Sequence, residues 1–254
     1  MNIIKRKLYL SLKSWLREIE NENFISKKSK CSIDGTVKQT GTIINGDVEI
    51  EAFTVLDKCK LIGQITIGNN VKISDAIISG NIAIGNYSKI IDGVELHGNI
   101  EIGKNTTING KNTDLRASVN KVIIGNFCSI ARNVTFQEYN HDLTKLTTYM
   151  VRTNLEGKSF KEDLISKGDI ILGHDVWIGT QCVVLSGAKI GTGAVIAANS
   201  VVTGEIPPYA IAAGSPAKVI KYRFDDKTID ELLKFEWWNK THAEVVKLFN
   251  DFKN

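Results

Sequence analysis

From Leu172 to Val202 every sixth residue is aliphatic: Leu172, Ile178, Val184, Ile190, Ile196 and Val202. Four places after each come Val176, Cys182, Ala188, Ala194, Ser200 and Ile206, mostly small, and Gly173, Gly179 and Gly191 directly follow their aliphatic residue. A helix needs a period of 3.6 and a strand a period of 2, so neither explains a period of six. A prism with three short strands per coil does. Each aliphatic residue points inward, each small residue sits near a corner, and glycine and asparagine supply turns that require positive φ. Upstream the pattern continues less regularly, in IGNNVK from Ile67, IGNYSK from Ile84, IGKNTT from Ile102, IGNFCS from Ile124 and IARNVT from Ile130. The step from Ile84 to Ile102 is three hexapeptides, one full coil. Repeats of this kind stack into a solenoid with a continuous core.

A solenoid needs covers at its ends. At the C-terminus, over 223–254, RFDDKTIDELLKFEWWNK offers Asp225 or Asp226 as a helix N-cap, with Ile229, Leu232, Leu233 and Trp237 on one face. A second helix is predicted in THAEVVKLFNDF, where Thr241 and Glu244 stand at capping-box spacing. The first 30 residues read as an amphipathic helical segment: Ile4, Leu8, Leu12, Trp15, Leu16 and Ile19 share a face, with Lys5, Arg6, Lys13 and Arg17 around it. That face packs on the first coil or a neighbouring subunit, or, through residues 1–20, on a membrane surface. The coils between, 31–222, form the main domain.

The hexapeptides lapse once, in VTFQEYNHDLTK (134–145), and resume near Asp169–Leu172. The excursion, about 136–168, is long for a structureless loop, and such loops are usually functional. It carries His141 close to its start.

Composition narrows the function classes. A net charge of +4 is too small to argue for nucleic acid and suits an anionic ligand. No run approaches the ~18 apolar residues of a membrane span, and the N-terminus lacks the unbroken apolar core of a signal peptide. The four cysteines form no CxxC pair and read as reduced thiols of a cytoplasmic protein, with Cys128 and Cys182 buried at fourth positions of their hexapeptides. The four histidines are too far apart in sequence for a zinc site, so no metal is expected.

The hexapeptides together with GHDVWIG (173–179) and VVTGEIPPYAIAAGSPAKVI (201–220) resemble the hexapeptide-repeat acyltransferases. The spacing in DVWIGTQCVVLSGAKIGTGAVIAANSVV and the tail YRFDDKTIDELLKFEWW resemble the xenobiotic acetyltransferase branch, which includes the O-acetyltransferases of bacterial capsules and O-antigens. The resemblance implies a mainly β fold, a left-handed parallel β-helix, assembled as a homotrimer with each active site between two subunits. It implies acetyl-CoA as donor and a saccharide hydroxyl as acceptor, with no nucleic-acid partner. It places the catalytic histidine on the excursion loop, hence His141. Imidazole is suited to taking the hydroxyl proton, because its unperturbed pKa is ~6.5. Glu138 and Asp142 are candidates to orient it, beside a backbone carbonyl. On the donor side the resemblance implies Trp177 near the thioester, the backbone of Thr180, contacts at Ala198 and Thr203-Gly204 along the pantetheine arm, and Lys218 and Lys221 toward the phosphates. The length of the chain and its irregular early coils favour a surface polysaccharide over an antibiotic hydroxyl. N-acetylation of an amino sugar uses the same apparatus. A chain acting on such a precursor is expected in the cytoplasm or at the inner face of the membrane.

Overall fold

The computed structural model describes residues 22–251, and the helix predicted over the first twenty residues lies outside them. The segment expected to stay helical to residue 30 does not: Phe24–Ile25 pairs in parallel with Ile43–Ile44, and Cys31–Ile33 with Val48–Ile50. The edge strand Ile43–Ile50 offers unpaired backbone groups at that end of the stack, and these residues complete them.

From there the chain is a parallel β-solenoid. Each strand pairs with the strand one coil later, as Leu61 with Ile78, Ile78 with Leu96 and Leu96 with Leu115. One 13-stranded sheet carries the first and second faces of the prism, and a 10-stranded sheet carries the third. Alternate residues point inward and form one core cluster running from Ile44 to Ala212. All six aliphatic positions from Leu172 to Val202 are in it, with Val176, Cys182, Ala188 and Ala194. Cys59, Cys128 and Cys182 are buried free thiols, and burial pushes Cys128 up to about 12, where it is inert as a nucleophile.

Two details of the coils were not legible in the repeat. In the strands Ile43–Ile50, Lys60–Ile67, Ile77–Ile84 and Glu95–Ile102 the bend from first to second face falls inside a continuous strand, at Gly46, Gly63, Gly80 and Gly98. These glycines stack on one another so closely that a Cβ on Gly80 would lie 2.2 Å from the Gly98 carbonyl oxygen. The corner from third to first face also varies in length. Successive inward residues are five apart at Leu56–Leu61 and Ile73–Ile78, six at Ile90–Leu96, seven at Ile108–Leu115 and six from Ile130–Phe136 onward. The coil of three hexapeptides therefore holds downstream, while the first two coils are one residue shorter.

The excursion begins later than the lapse in the pattern suggests. Phe136 is fully buried and pairs with Val184, so the first-face strand runs to Gln137. The chain returns to the second face at Ile170. After the last coil the chain folds back along the corner between second and third faces. Asp225 caps the helix Asp226–Phe235 by accepting from the Thr228 N–H, and Thr241 and Glu244 form the capping box of the helix His242–Asp251. Lys104 Nζ donates to the carbonyls of Asn239 and Lys240, Phe127 packs on Trp237, and His174 stacks on Trp238 at 5.2 Å and 10°. No helix among the described residues is long and apolar enough to cross a membrane.

Candidate active site

The excursion is an ordered structure on a two-stranded stem. Asn140 and His141 pair antiparallel with Ile165 and Leu164, and Asn140 Nδ2 donates to Ser186 Oγ at 2.9 Å, tying the stem to the coil below. At its root Glu138 is fully buried. Its carboxylate accepts from the Val119 N–H at 2.9 Å and from Asn120 Nδ2 at 3.1 Å. Those partners lie in a bulge of the strand Asp114–Ile124, where inward residues Leu115 and Ile124 are nine apart instead of six. Ser166 Oγ donates to the Glu138 carbonyl and accepts from the Gly168 N–H, closing the root. Asp163, also buried, accepts from the N–H groups of Arg152 and Thr153 and from Thr153 Oγ1, which folds the tip inward.

His141 is exposed, and its Nδ1 lies 2.8 Å from the Thr148 carbonyl oxygen. A carbonyl only accepts, so Nδ1 carries the proton and Nε2 holds the lone pair in the neutral ring. Nε2 has no hydrogen bond to another described residue. The ring faces a pocket of about 440 Å³ bordered by Leu143, Ile165, Leu185, Ser186 and Thr203. Neither carboxylate named beforehand is hydrogen-bonded to the imidazole: Glu138 serves the bulge, and Asp142 accepts from the N–H and hydroxyl of Thr144, which hold it below the usual carboxylate range. Thr148 does the orienting. It carries no sequence signal, because any residue supplies a carbonyl, and the loop's fold alone brings it to the ring.

The donor-side residues divide. Trp177, 57% exposed, stands in an outward column of the third face with Val195, Ile211 and Lys221 as successive partners. Thr180 and Ala198 lie at the adjoining corner, and their N–H groups have no partner among the described residues. Trp177, Thr180, Ala198, Val195 and Ile211 border a second groove, of about 980 Å³. Lys218 and Lys221 are exposed on the strand Lys218–Tyr222, antiparallel to Ala210–Ala213. Thr203 and Gly204 sit instead at the corner between first and second faces, with Thr203 in the pocket of His141. Arg223 was not anticipated. It donates to Asp175 Oδ2 at 3.0 Å and to the Gly193 carbonyl at 2.7 Å, at one edge of the Trp177 groove. Burial raises the Asp175 carboxyl while Arg223 opposes the rise.

His141 thus stands at the corner between first and second faces and the Trp177 groove at the corner between third and first, with the first face between them. The other histidines have structural surroundings. His174 Nδ1 accepts from the Asn126 N–H, and burial lowers its pKa. His97 joins Glu95 and Asp114 in the one cluster of metal-ligating types among the described residues. Arg116 already bridges that cluster, at 2.9 Å from Asp114 and 3.4 Å from Glu95.

Known proteins give this geometry a lineage. Residues 169–204 match the model for the bacterial transferase hexapeptide (six repeats). A probable macrolide acetyltransferase of Lysinibacillus sphaericus is 45% identical over 133 residues, 49% of this chain and 73% of that protein. A chloramphenicol acetyltransferase of Morganella morganii is 42% identical over 130 residues, 49% of this chain and 62% of its own. The galactoside O-acetyltransferase of Escherichia coli K12 is 37% identical over 123 residues, 48% of this chain and 54% of its own. Hexapeptide coils interrupted by one histidine-bearing loop, and these identities, place the chain in the bacterial hexapeptide transferase family, among its acetyltransferases.

Proposed function

We propose that this acetyltransferase moves an acetyl group from acetyl-CoA to a hydroxyl of a sugar in a bacterial surface polysaccharide, capsule or O-antigen, or its precursor. The observation that carries the reading is His141: one ring nitrogen is fixed by the Thr148 carbonyl, the other has no hydrogen bond to another described residue, and the side chain borders a pocket. In the reaction Nε2 takes the proton of the acceptor hydroxyl as its oxygen forms a bond to the thioester carbonyl carbon. The unpaired N–H of Thr180 suits the oxyanion that develops. The C–S bond then breaks, and the imidazolium returns the proton to the departing sulfur. No acyl-enzyme is needed. The Trp177 groove has the apolar walls a pantetheine arm requires, and Lys221 lies three strand spacings from Trp177, about 14 Å, where anionic phosphates would meet it. Lys218 adds a second cation on that strand.

Because one chain keeps His141 and Trp177 on different corners, the histidine of one copy serves the donor groove of the next. This supports a homotrimer with sites between subunits. The donor places the reaction in the cytoplasm, where acetyl-CoA is made. His141→Ala should lower acceptor-dependent thiol release from acetyl-CoA by about 10²–10⁴-fold, with the sedimenting species unchanged. Near-normal turnover in that variant would remove His141 as base. A second reading, acetylation of an antibiotic hydroxyl, is favoured by the 42–45% identities to the chloramphenicol and macrolide relatives. Chloramphenicol as acceptor in the same assay separates the two, and an amino sugar tests N-acetylation.

A further inference from the structure

A third groove, of about 880 Å³, runs from Thr180 toward the N-terminal coils along the corner between third and first faces. It shares Thr180 with the donor groove, so the two meet end to end at the position assigned to the thioester. Beyond Thr180 the corner presents Arg132, Lys111, Asp92 and Asp75, one coil apart. All four side chains are exposed, and none has a hydrogen bond or ion pair with another described residue. Surface charges elsewhere on the coils are often paired, as Lys121 is with Glu101 and Arg116 with Asp114.

The groove lies at the corner whose length varies. Along the groove the interval between inward residues grows from five at Ile73–Ile78 to seven at Ile108–Leu115, so the Lys111 turn holds two more residues than the Asp75 turn. Between them the floor is bare backbone: Gly110 lies against Asp92 so closely that a Cβ would sit 1.9 Å from its carbonyl oxygen. From Thr180 to Asp75 is four coil spacings, about 19 Å. That is far longer than one sugar ring or a compact drug.

We propose that this corner groove is a subsite for an extended saccharide, so that the acceptor is a chain of several linked sugars and not a single small molecule. Lys111 and Arg132 meet an anionic group on the unit beside the acetylated one, and Asp75 and Asp92 accept hydrogen bonds from hydroxyls of more distant units. The inference rests on the saccharide reading above. It explains why the chain carries irregular coils upstream of its catalytic loop.

The test uses envelope polysaccharide of the source organism, partly hydrolysed and fractionated by length, with radiolabelled acetyl-CoA. Chloramphenicol is the compact acceptor in a parallel arm. For the intact protein kcat/KM is expected to rise at least tenfold from single units to the longest fragments. In the double variant K111A/R132A that ratio should fall below two, with the melting temperature unchanged, and in K111R/R132K it should persist. Reducing fragment carboxylates to alcohols abolishes the gain if the anion is a carboxylate and spares it if it is a phosphate, and either result keeps the proposal. Transfer to saccharides at a rate independent of length, or a length gain that K111A/R132A leaves intact, overturns the subsite alone. Transfer to chloramphenicol and to no saccharide overturns both this inference and the saccharide reading.

Discussion

Replacing Glu138 separates two roles that a carboxylate three residues before the proposed general base His141 could have. Its oxygens are committed to the Val119 N–H at 2.9 Å and to Asn120 Nδ2 at 3.1 Å, and the side chain is fully buried. Glu138→Ala removes both acceptors. At about 1.5 kcal/mol for each hydrogen bond to a charged group, the low end of the range, the loss is about 3 kcal/mol. For a chain of this size that corresponds to about 6–12 °C in melting temperature. Glu138→Gln keeps the volume and one acceptor oxygen, and Asn120 can turn its amide to stay paired. Only the charge-assisted part is lost, about 1 kcal/mol or about 2–4 °C. Turnover falls in the alanine variant because the stem that presents His141 loosens. The decisive readout is the pH profile of kcat/KM for thiol release, recorded beside calorimetry. If Glu138 only anchors the loop root, the acid limb keeps its midpoint in both variants. A carboxylate that held the imidazole would stabilise its charged form, and losing it would move that midpoint down. A downward move of about one unit, equivalent to 1.36 kcal/mol, would show that Glu138 acts on His141 and that its anchoring role is incomplete.

The glycine column should be intolerant in a position-specific way. Gly80→Ala, at φ +131 with Gly98 directly beneath, is expected to cost on the order of 3 kcal/mol, whereas Gly35→Ala, with nothing within 4 Å, should change stability by less than about 0.5 kcal/mol. Thermal melts of the pair check this, and equal melting temperatures would refute the stacking argument. The packing of His174 on Trp238 in the C-terminal segment should weaken in acid. Burial holds the His174 pKa below its ordinary value, so the unfolded chain takes up the proton first. The stabilisation is complete above the unfolded pKa of ~6.5 and is lost progressively below it, as pH falls through the lower folded pKa. Protonation of Nδ1 would also remove the acceptor for the Asn126 N–H. Melting temperature and intrinsic fluorescence between pH 7.5 and 5 should show the loss, and His174→Gln should flatten it. An unchanged pH dependence in that variant would remove His174 as its source.

The scaffold was legible because a period of six is a property of the chain alone. Each coil repeats the same inward positions, and the residues that obey the rule, Leu172 to Val202, all reach the core. Both C-terminal caps were legible for the same local reason, since Asp225, Thr241 and Glu244 bond to backbone only three residues away. The glycine column was present in the sequence but spaced 17 or 18 residues apart, so its meaning appears only when the coils stack. The start of the loop was misplaced by the polar neighbours of Phe136, although that residue continues the phase of Ile124 and Ile130.

At the site, the sequence by itself determined that a single histidine interrupts the repeat, and that an aromatic and two lysines follow it on later coils. Tertiary structure decided what each of them touches and where it stands. It gave the imidazole to the Thr148 carbonyl, sent Glu138 to a bulge 18 residues away, moved Thr203 to the histidine's corner and kept Trp177 on another. The reason is physical. Inward positions follow from a one-dimensional period, but hydrogen-bond partners in a loop and the assignment of corners depend on accumulated coil lengths. A one-residue change at a single corner alters where a charged side chain stands without disturbing the hydrophobic pattern at all.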